Sequence, residues 1–235
     1  MAQLGTLISY DQLDYPAAWE LQHKLVESRA AHRLLDTLIL LEHPPVFTIG
    51  RTGREAHWGG DERILRNAGY PVYHVERGGS ITFHGPGQLV GYPILKLLDF
   101  CPGPKAYMRR LEEVLIRTVA DWGIAGERVE KLTGVWVGEE KIAAMGVRIT
   151  RGITMHGFAL NVGGDLAPFT KIIPCGIRGC RVTSMEALLG CAVDRTAVRE
   201  RLARQFTEVF DLEWTDPVAA GHTAPAAAAA PSSEA

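Results

Sequence analysis

The stretch RGGSITFHGPGQLVGYP, residues 77–93, decides how we interpret the rest of the chain. It holds five glycines in seventeen residues, interleaved with short apolar pieces. Glycine lets a backbone turn tightly and lets a ligand approach main-chain N–H groups closely. The apolar pieces around Ile81, Phe83, Leu89 and Val90 are typical of buried strands. We therefore predict a strand–turn–strand segment whose polar residues face a bound molecule.

Two alternatives for this segment can be weighed on the residues alone. A phosphate-binding loop would need Gly-Lys-Ser/Thr or the G-x-G-x-x-G spacing, and neither pattern is present. A glycine-rich hairpin that binds no ligand stays open, because loops often carry function but need not do so.

Outward from this segment, the chain alternates between strand-like and helix-like patterns. We predict strands where short apolar runs are bounded by turn residues, at residues 4–10, 37–41, 46–49, 72–75, 135–137, 141–149, 153–162 and 212–214. We predict helices where apolar residues recur every three or four positions or a capping residue precedes them, at residues 14–28, 61–69, 107–122, 183–190 and 194–209. Residues 51–60 show no periodicity and predict a mobile loop. This order indicates one α/β (α+β) domain over residues 1–215, followed by a disordered Ala/Pro/Ser-rich tail at 216–235.

Composition excludes several classes of function. The net charge of −2 gives no support for a nucleic-acid partner or an anionic membrane surface. No apolar run approaches the roughly 20 residues that a membrane-spanning helix needs. The N-terminus lacks the basic start and apolar core of a secretory signal, and four cysteines in 235 residues do not form a disulfide framework. We expect a cytoplasmic protein.

Cys175 is the best candidate nucleophile by its local sequence. It lies between Pro174 and Gly176 in an irregular stretch. The cations near it in sequence, which would favour a thiolate, are Lys171, Arg178 and Arg181. The alternative is a small buried apolar residue, which cysteine often is. The cysteines show no paired spacing typical of zinc ligands, so we expect no metal.

The histidines and lysines carry weaker signals. His74, His84 and His156 are interpreted as hydrogen-bonded structural residues rather than ligands or catalytic bases. Lys141 opens the apolar run KIAAMGV, and by itself this pattern favours a solvated lysine at the end of a strand. The residues alone thus indicate a ligand-binding α/β domain with a candidate cysteine nucleophile.

Several blocks together resemble a known enzyme family, the lipoyl(octanoyl) transferases of lipoate biosynthesis. The blocks are LEHPPVFTIGR from Leu41, RGGSITFHGPGQLVGYPI from Arg77, KIAAMGVRI from Lys141, HGFALNV from His156 and PCGI around Cys175. The resemblance spans residues 4–189. It implies a mixed, largely antiparallel sheet flanked by helices, the fold shared with lipoate ligases and the biotin ligase catalytic domain.

The resemblance also implies roles for particular residues. Cys175 would carry the acyl group as a thioester, and Lys141 would be its general acid/base partner. The implied substrate-binding residues are Arg77, Gly78, Gly79, Ser80, Ile81, Thr82, Phe83 and His84, then Ala144, Met145 and Gly146, and finally Gly157, Phe158 and Ala159. The family uses no cofactor for this step.

The implied activity is transfer of octanoyl from octanoyl-acyl carrier protein to a lysine of a lipoyl domain. The implied acceptors are the lipoyl domains of 2-oxoacid dehydrogenase complexes and the glycine cleavage H protein, and we expect a monomer. An acidic carrier protein predicts a basic rim, with Arg148, Arg151 and Arg178 as candidates. Three alternatives stay open: an ATP-dependent lipoate or biotin ligase on the same fold, an octanoyl amidotransferase, and a non-catalytic acyl-binding module.

Overall fold

Two β-sheets organise the part of the chain that the structure, a computed structural model, describes: residues 2–177 and 179–215. The strands are β1 Gln3–Gln12, β2 Asp36–Glu42, β3 Val46–Ile49, β4 Val72–His74, β5 Ile81–His84, β6 Gln88–Ile94, β7 Glu127–Val129, β8 Leu132–Val137, β9 Glu140–Thr150, β10 Ile153–Asn161, β11 Arg181–Val182 and β12 Leu212–Thr215. The larger sheet runs β12-β1-β2-β6-β10-β9-β8-β7, with β11 beside β9, and the smaller runs β4-β3-β5.

The larger sheet is mixed but mostly antiparallel. β1 pairs in parallel with β2 and β12, and β11 pairs in parallel with β9. The steps from β2 through β6, β10, β9 and β8 to β7 are antiparallel. The expected fold class is therefore confirmed.

Helices cover both faces of the larger sheet. The α-helices of the described residues are α1 Tyr15–Ala30, α2 Arg63–Asn67, α3 Leu97–Phe100, α4 Pro104–Ala120, α5 Met185–Leu189 and α6 Arg195–Phe210. Of these, α2 packs through Leu65 in the core of the smaller sheet instead. Alternate residues of β2 separate the two layers: Leu38 and Leu40 pack with α4 and α6, whereas Ile39 and Leu41 pack with α1. Burial on both faces explains why this strand has a continuous apolar sequence.

The glycine-rich segment does not form a hairpin. β5 pairs with β3 in the smaller sheet, while β6 pairs with β2 and β10 in the larger one. The turn between them therefore joins the two sheets. The predicted strand–turn–strand order is confirmed, and the hairpin alternative is wrong.

Two local predictions need correction. Residues 51–60, expected to form a mobile loop, include a 3-10 helix, Glu55–Trp58, whose Trp58 packs in the core of the smaller sheet. The helix predicted at residues 183–190 begins only at Met185, because Ser184 is its N-cap and accepts the N–H of Ala187. The predicted tail at 216–235 and Arg178 lie outside the described residues. Within the described ranges, no helix is long and apolar enough to cross a membrane.

Candidate active site

Lys141 and Cys175 lie side by side although 34 residues separate them in sequence. Lys141 is the second residue of β9, and Cys175 lies in a short 3-10 turn, Pro174–Gly176. The Lys141 Nζ donates a hydrogen bond to the Cys175 Sγ over 3.4 Å. β11 holds this region in place, because Val182 pairs with Lys141 and the N–H of Thr183 bonds to the Lys141 carbonyl oxygen.

Lys141 is buried, which contradicts the interpretation of a solvated lysine at a strand end. Its exposed fraction is 3%, and its Nζ lies 5.1 Å from the centre of the Trp136 ring. No carboxylate of residues 2–177 or 179–215 lies within ion-pair distance of this amine. The amine therefore faces sulfur and an aromatic ring instead of an acidic partner.

Cys175 has a left-handed backbone conformation that few residues other than glycine adopt. Its φ is 56° and its ψ is 12°. Such a conformation costs a non-glycine residue about 1–3 kcal/mol and needs support from its surroundings. Two backbone hydrogen bonds give that support, from Gly176 N–H to the Ile173 carbonyl and from Ile177 N–H to the Pro174 carbonyl. The side chain is half-buried, so the sulfur can meet a ligand.

A cavity of about 430 Å³ opens from this pair of residues. Most of the residues that the resemblance assigned to substrate binding line it. They are Arg77, Gly78, Gly79, Ser80, Thr82, His84, Ala144, Met145, Gly146, Gly157, Phe158 and Ala159, together with Lys141 and Cys175. Three chain segments that are distant in sequence thus meet on one surface.

Ile81 and Phe83 are the two assigned residues that do not line this cavity. Side chains alternate along a strand, so residues next to Ser80, Thr82 and His84 point to the opposite face of β5. Both pack in the core of the smaller sheet. Their contribution to the site is through the backbone and the packing of the strand.

Arg77 places a buried positive charge in the cavity wall. Its guanidinium donates to the carbonyl oxygen and the hydroxyl of Thr48 and to the carbonyl oxygen of Gly78. Burial lowers the pKa of Arg77, and its attraction to the ionisable groups of Tyr15, Cys175 and Tyr92 opposes that effect. The wall of the cavity therefore carries a buried cation.

The two cavity histidines are neutral at physiological pH for the same physical reason. Burial, with a smaller contribution from the nearby His43, lowers the pKa of His84 to about 3. Burial also lowers the pKa of His156 to about 3, with the charge of Arg77 adding to the effect. A group with so low a pKa binds a proton only weakly near pH 7, which favours structural roles over general-base catalysis.

The two histidines differ in the hydrogen bonds that their rings make. The Nδ1 of His84 lies 2.6 Å from the Gln88 Oε1, which confirms the interpretation of a hydrogen-bonded residue. The ring nitrogens of His156 have no hydrogen-bond partner among the described residues, so that interpretation is wrong for His156.

Several site residues were not found by sequence analysis. Gly134 lies against the Lys141 side chain, Trp136 lies beside its amine, and His57 contacts both Ser80 and the Cys175 turn. These contacts come from strand pairing and from loops that meet in space, which no local pattern reveals. Among the described residues, no group of His, Cys, Asp or Glu could hold a metal ion.

Comparisons with known proteins agree with this geometry. The profile of the lipoyl protein ligase A/B catalytic domain matches residues 14–207. The chain is 49% identical to an octanoyltransferase of Solibacter usitatus over 86% of this chain and 91% of that protein. It is also 49% identical to an octanoyltransferase of Rubrobacter xylanophilus, over 83% of this chain and 89% of that protein.

Solved structures with low sequence identity share the fold. A lipoate-protein ligase A bound with ATP superposes with a TM-score of 0.68 at 18% identity, covering 91% of this chain and 88% of that chain. A biotin protein ligase of Aquifex aeolicus gives a TM-score of 0.54 at 14% identity, covering 87% of this chain and 70% of that chain. The fold that the resemblance implied is therefore confirmed.

Proposed function

Because this chain belongs to the lipoyl protein ligase A/B catalytic-domain family, and within it to the octanoyltransferases, we propose that it transfers octanoyl through a thioester on Cys175. The chain is thus an acyltransferase of protein lipoylation. What the proposal adds is the route of the acyl group and the residues that move the protons. The 3.4 Å contact between the Lys141 amine and the Cys175 sulfur carries it.

The first half-reaction acylates the enzyme. The amine of Lys141 takes the proton of the Cys175 thiol, and the thiolate attacks the carbonyl carbon of the octanoyl thioester. A carbon–sulfur bond forms to Cys175, and the bond to the donor's sulfur breaks. The ammonium of Lys141 returns its proton to the departing thiolate, which leaves as a free thiol.

The second half-reaction forms the amide. The amine of the acceptor lysine attacks the S-octanoyl carbonyl, and Lys141 takes the proton that this nitrogen loses. The bond to Cys175 breaks, and the same proton returns to its sulfur. A thioester is consumed and an amide is formed, so the reaction needs no nucleotide.

Two features of the site support this chemistry. The buried guanidinium of Arg77 places a positive charge in the cavity wall, where it can stabilise negative charge that develops on the reacting atoms. The cavity continues from Cys175 along the middle of β9 and β10, past Ala144, Met145 and Phe158, which offer an apolar wall for a fatty chain. Developing negative charge on the carbonyl oxygen would meet donors in the surrounding glycine-rich backbone.

The proposal extends to the partners. The donor is octanoyl-acyl carrier protein, and the acceptors are the lipoyl domains of 2-oxoacid dehydrogenase complexes and the glycine cleavage H protein, in the cytoplasm. Of the expected basic rim, Arg151 is exposed at the β9–β10 turn, whereas Arg148 is engaged with Glu76 over 2.8 Å. Arg178 lies outside the described residues.

Substitution of the two central residues tests the route. We expect Cys175→Ser to form no stable acyl adduct, and Lys141→Ala to acylate at least about 10²-fold more slowly, since general acid/base catalysis is typically worth that much. Each protein is mixed with octanoyl-acyl carrier protein in the absence of ATP. Intact mass measures the adduct over time, and digestion locates it.

Cys180→Ser is the matched control, because this second thiol is five positions along the chain and stays outside the proposed chemistry. It is expected to acylate at the rate of the unsubstituted protein. An adduct on any residue other than Cys175, or transfer that requires ATP, would overturn the proposed route.

A further inference from the structure

His57 makes three contacts that together join the Cys175 turn to the glycine-rich segment. Its Nδ1 lies 2.6 Å from the Ser80 Oγ, and its carbonyl oxygen accepts the N–H of Ile173 over 2.7 Å. Its ring packs against Gly176, where an added Cβ would come within 3.0 Å of the His57 Cε1. One residue therefore touches both ends of the turn that carries the cysteine.

Ser80, the partner of this histidine, is part of the cavity wall. Its exposed fraction is 2%, and its carbonyl oxygen accepts the N–H of Gly50 over 3.0 Å. The backbone of Ser80 is thus fixed, and its hydroxyl is oriented by the His57 ring. Either the hydroxyl or the His57 ring must donate in a bond of this length, so the tautomer of the ring determines where the hydroxyl hydrogen points.

The turn itself needs such support. Cys175 is held at a φ of 56°, and a displacement of about 1 Å at a reacting atom can cost a reaction about 10²-fold in rate. The 3-10 helix Glu55–Trp58 that carries His57 is anchored in turn by Trp58, which is buried in the smaller sheet. An element anchored in the core of the smaller sheet therefore lies behind the turn.

We propose that His57 is a positioning residue for octanoyl transfer, which holds the Cys175 sulfur at the Lys141 amine and orients the Ser80 hydroxyl in the cavity. This inference rests on the proposed role of Cys175. His57 itself does not line the cavity and does not touch the reacting atoms. Its effect passes through the turn on one side and through Ser80 on the other.

Three variants separate the ring contact from the hydrogen bond, and all keep the backbone bond to Ile173. His57→Ala removes both side-chain interactions, His57→Phe keeps an aromatic ring against Gly176, and His57→Asn keeps a hydrogen-bonding group near the position of Nδ1. We expect His57→Ala to slow acylation of Cys175 by 10-fold to 100-fold with the donor KM changed less than threefold. If the bond to Ser80 dominates, we expect His57→Asn to acylate at least 10-fold faster than His57→Ala. If the ring contact dominates, we expect His57→Phe to do so.

The control is His74→Ala, because His74 is an exposed histidine bonded to Glu62 away from the cavity. It is expected to acylate at the unsubstituted rate. Thermal melting accompanies each variant, and alkylation of Cys175 by iodoacetamide reports the environment of its sulfur without substrate. A changed alkylation rate at an unchanged melting temperature supports positioning.

The outcomes distinguish this inference from the proposed function. Acylation of His57→Ala within twofold of the unsubstituted rate, with Cys175 still acylated in the unsubstituted protein, overturns the positioning role alone. The inference is also wrong if neither His57→Asn nor His57→Phe recovers activity and all three variants melt at the same temperature as the unsubstituted protein. A failure of the unsubstituted protein to form the Cys175 adduct would instead overturn the proposed function.

Discussion

The Lys141 side chain reaches Cys175 because residue 134 has no side chain of its own. A Cβ built on Gly134 would lie 2.6 Å from the Lys141 Cε, 3.3 Å from its Nζ and 2.5 Å from the Ala143 carbonyl oxygen. The φ of Gly134 is 122°, which L side chains rarely adopt. The space that the lysine occupies is therefore set by a glycine on the neighbouring strand.

We expect Gly134→Ala to displace Lys141 and slow acylation of Cys175 by about 10²-fold, because a shift of about 1 Å at a catalytic group can cost that much. The rate of adduct formation by intact mass measures the effect. Gly138→Ala, in the turn between β8 and β9, is the matched control: its φ is also positive, at 57°, but nothing lies within 4 Å of the added Cβ.

Both glycine variants carry backbone strain, so both should melt at a lower temperature than the unsubstituted protein. Only Gly134→Ala should lose the acylation rate. Equal rates in the two variants would show that Lys141 tolerates the displacement and would remove this glycine from the site.

Among single residues, the sequence pattern predicts Cys175 as a candidate nucleophile but does not predict Lys141 as its partner. Cys175 stood out because proline and glycine flank it in an irregular stretch. Lys141 resembled a solvated lysine, because its burial comes from Trp136 on β8 and from β11, which are contacts that the local sequence does not encode. The family resemblance, not the residue pattern, brought the two together.

At the scale of elements, the turn between β5 and β6 joins the two sheets through very close backbone packing. The N–H of Gly87 donates to the Glu42 carboxylate over 2.8 Å, and its carbonyl oxygen accepts the N–H groups of Val162 and Gly163. A Cβ on Gly87 would lie 2.7 Å from the backbone of Gly163 and Gly164. The glycine at this turn therefore fixes β5 and its cavity residues against the end of β10.

We expect Gly87→Ala to destabilise the fold by about 2–5 kcal/mol, combining the left-handed backbone cost of about 1–2 kcal/mol with overpacking against main chain of about 1–3 kcal/mol. Gly69→Ala separates the two effects, because its φ of 88° equals that of Gly87 while nothing lies within 4 Å of its added Cβ. Urea denaturation gives both free energies of unfolding.

The difference between these two variants measures the close approach alone. A Gly87→Ala protein as stable as Gly69→Ala would mean that the backbone between the two sheets accommodates the added Cβ without loss of stability. In that case the glycine is needed for its turn and not for packing.

Elements were easier to predict than their partners. The continuous apolar run of β2 predicts a strand buried on both faces, and the amphipathic pattern of α4 predicts a helix buried on one face. Both elements could therefore be predicted from their own residues. The pairing of β5 with β3 rather than with its neighbour β6 depends on contacts across the chain. A hairpin and a joint between two sheets have the same local sequence pattern.

For the whole molecule, three buried histidines couple stability to pH. Burial lowers the pKa of His43 to about 4, and the pKa values of His84 and His156 are lowered to about 3, also chiefly by burial. In the unfolded chain each titrates near 6.5. As the pH falls from 7 to 5, the unfolded state therefore binds protons that the folded state does not, and stability decreases.

We expect the free energy of unfolding to fall by an amount on the order of 2 kcal/mol per histidine between pH 7 and pH 5. His43→Gln should remove the contribution of one histidine to this fall. His43 is the choice because its ring bonds to the Leu13 carbonyl and the Tyr92 hydroxyl and does not line the cavity. Free energies of unfolding from urea denaturation at several pH values between 5 and 7 give the slope of stability against pH.

Ile39→Val is the control, a buried substitution without a titratable group. It should lower stability by about 0.5–1.5 kcal/mol at every pH and keep the slope of the unsubstituted protein. An unchanged slope in His43→Gln would mean that His43 takes up its proton in the folded state. Its contacts with the Leu13 carbonyl and the Tyr92 hydroxyl would then open to water in acid.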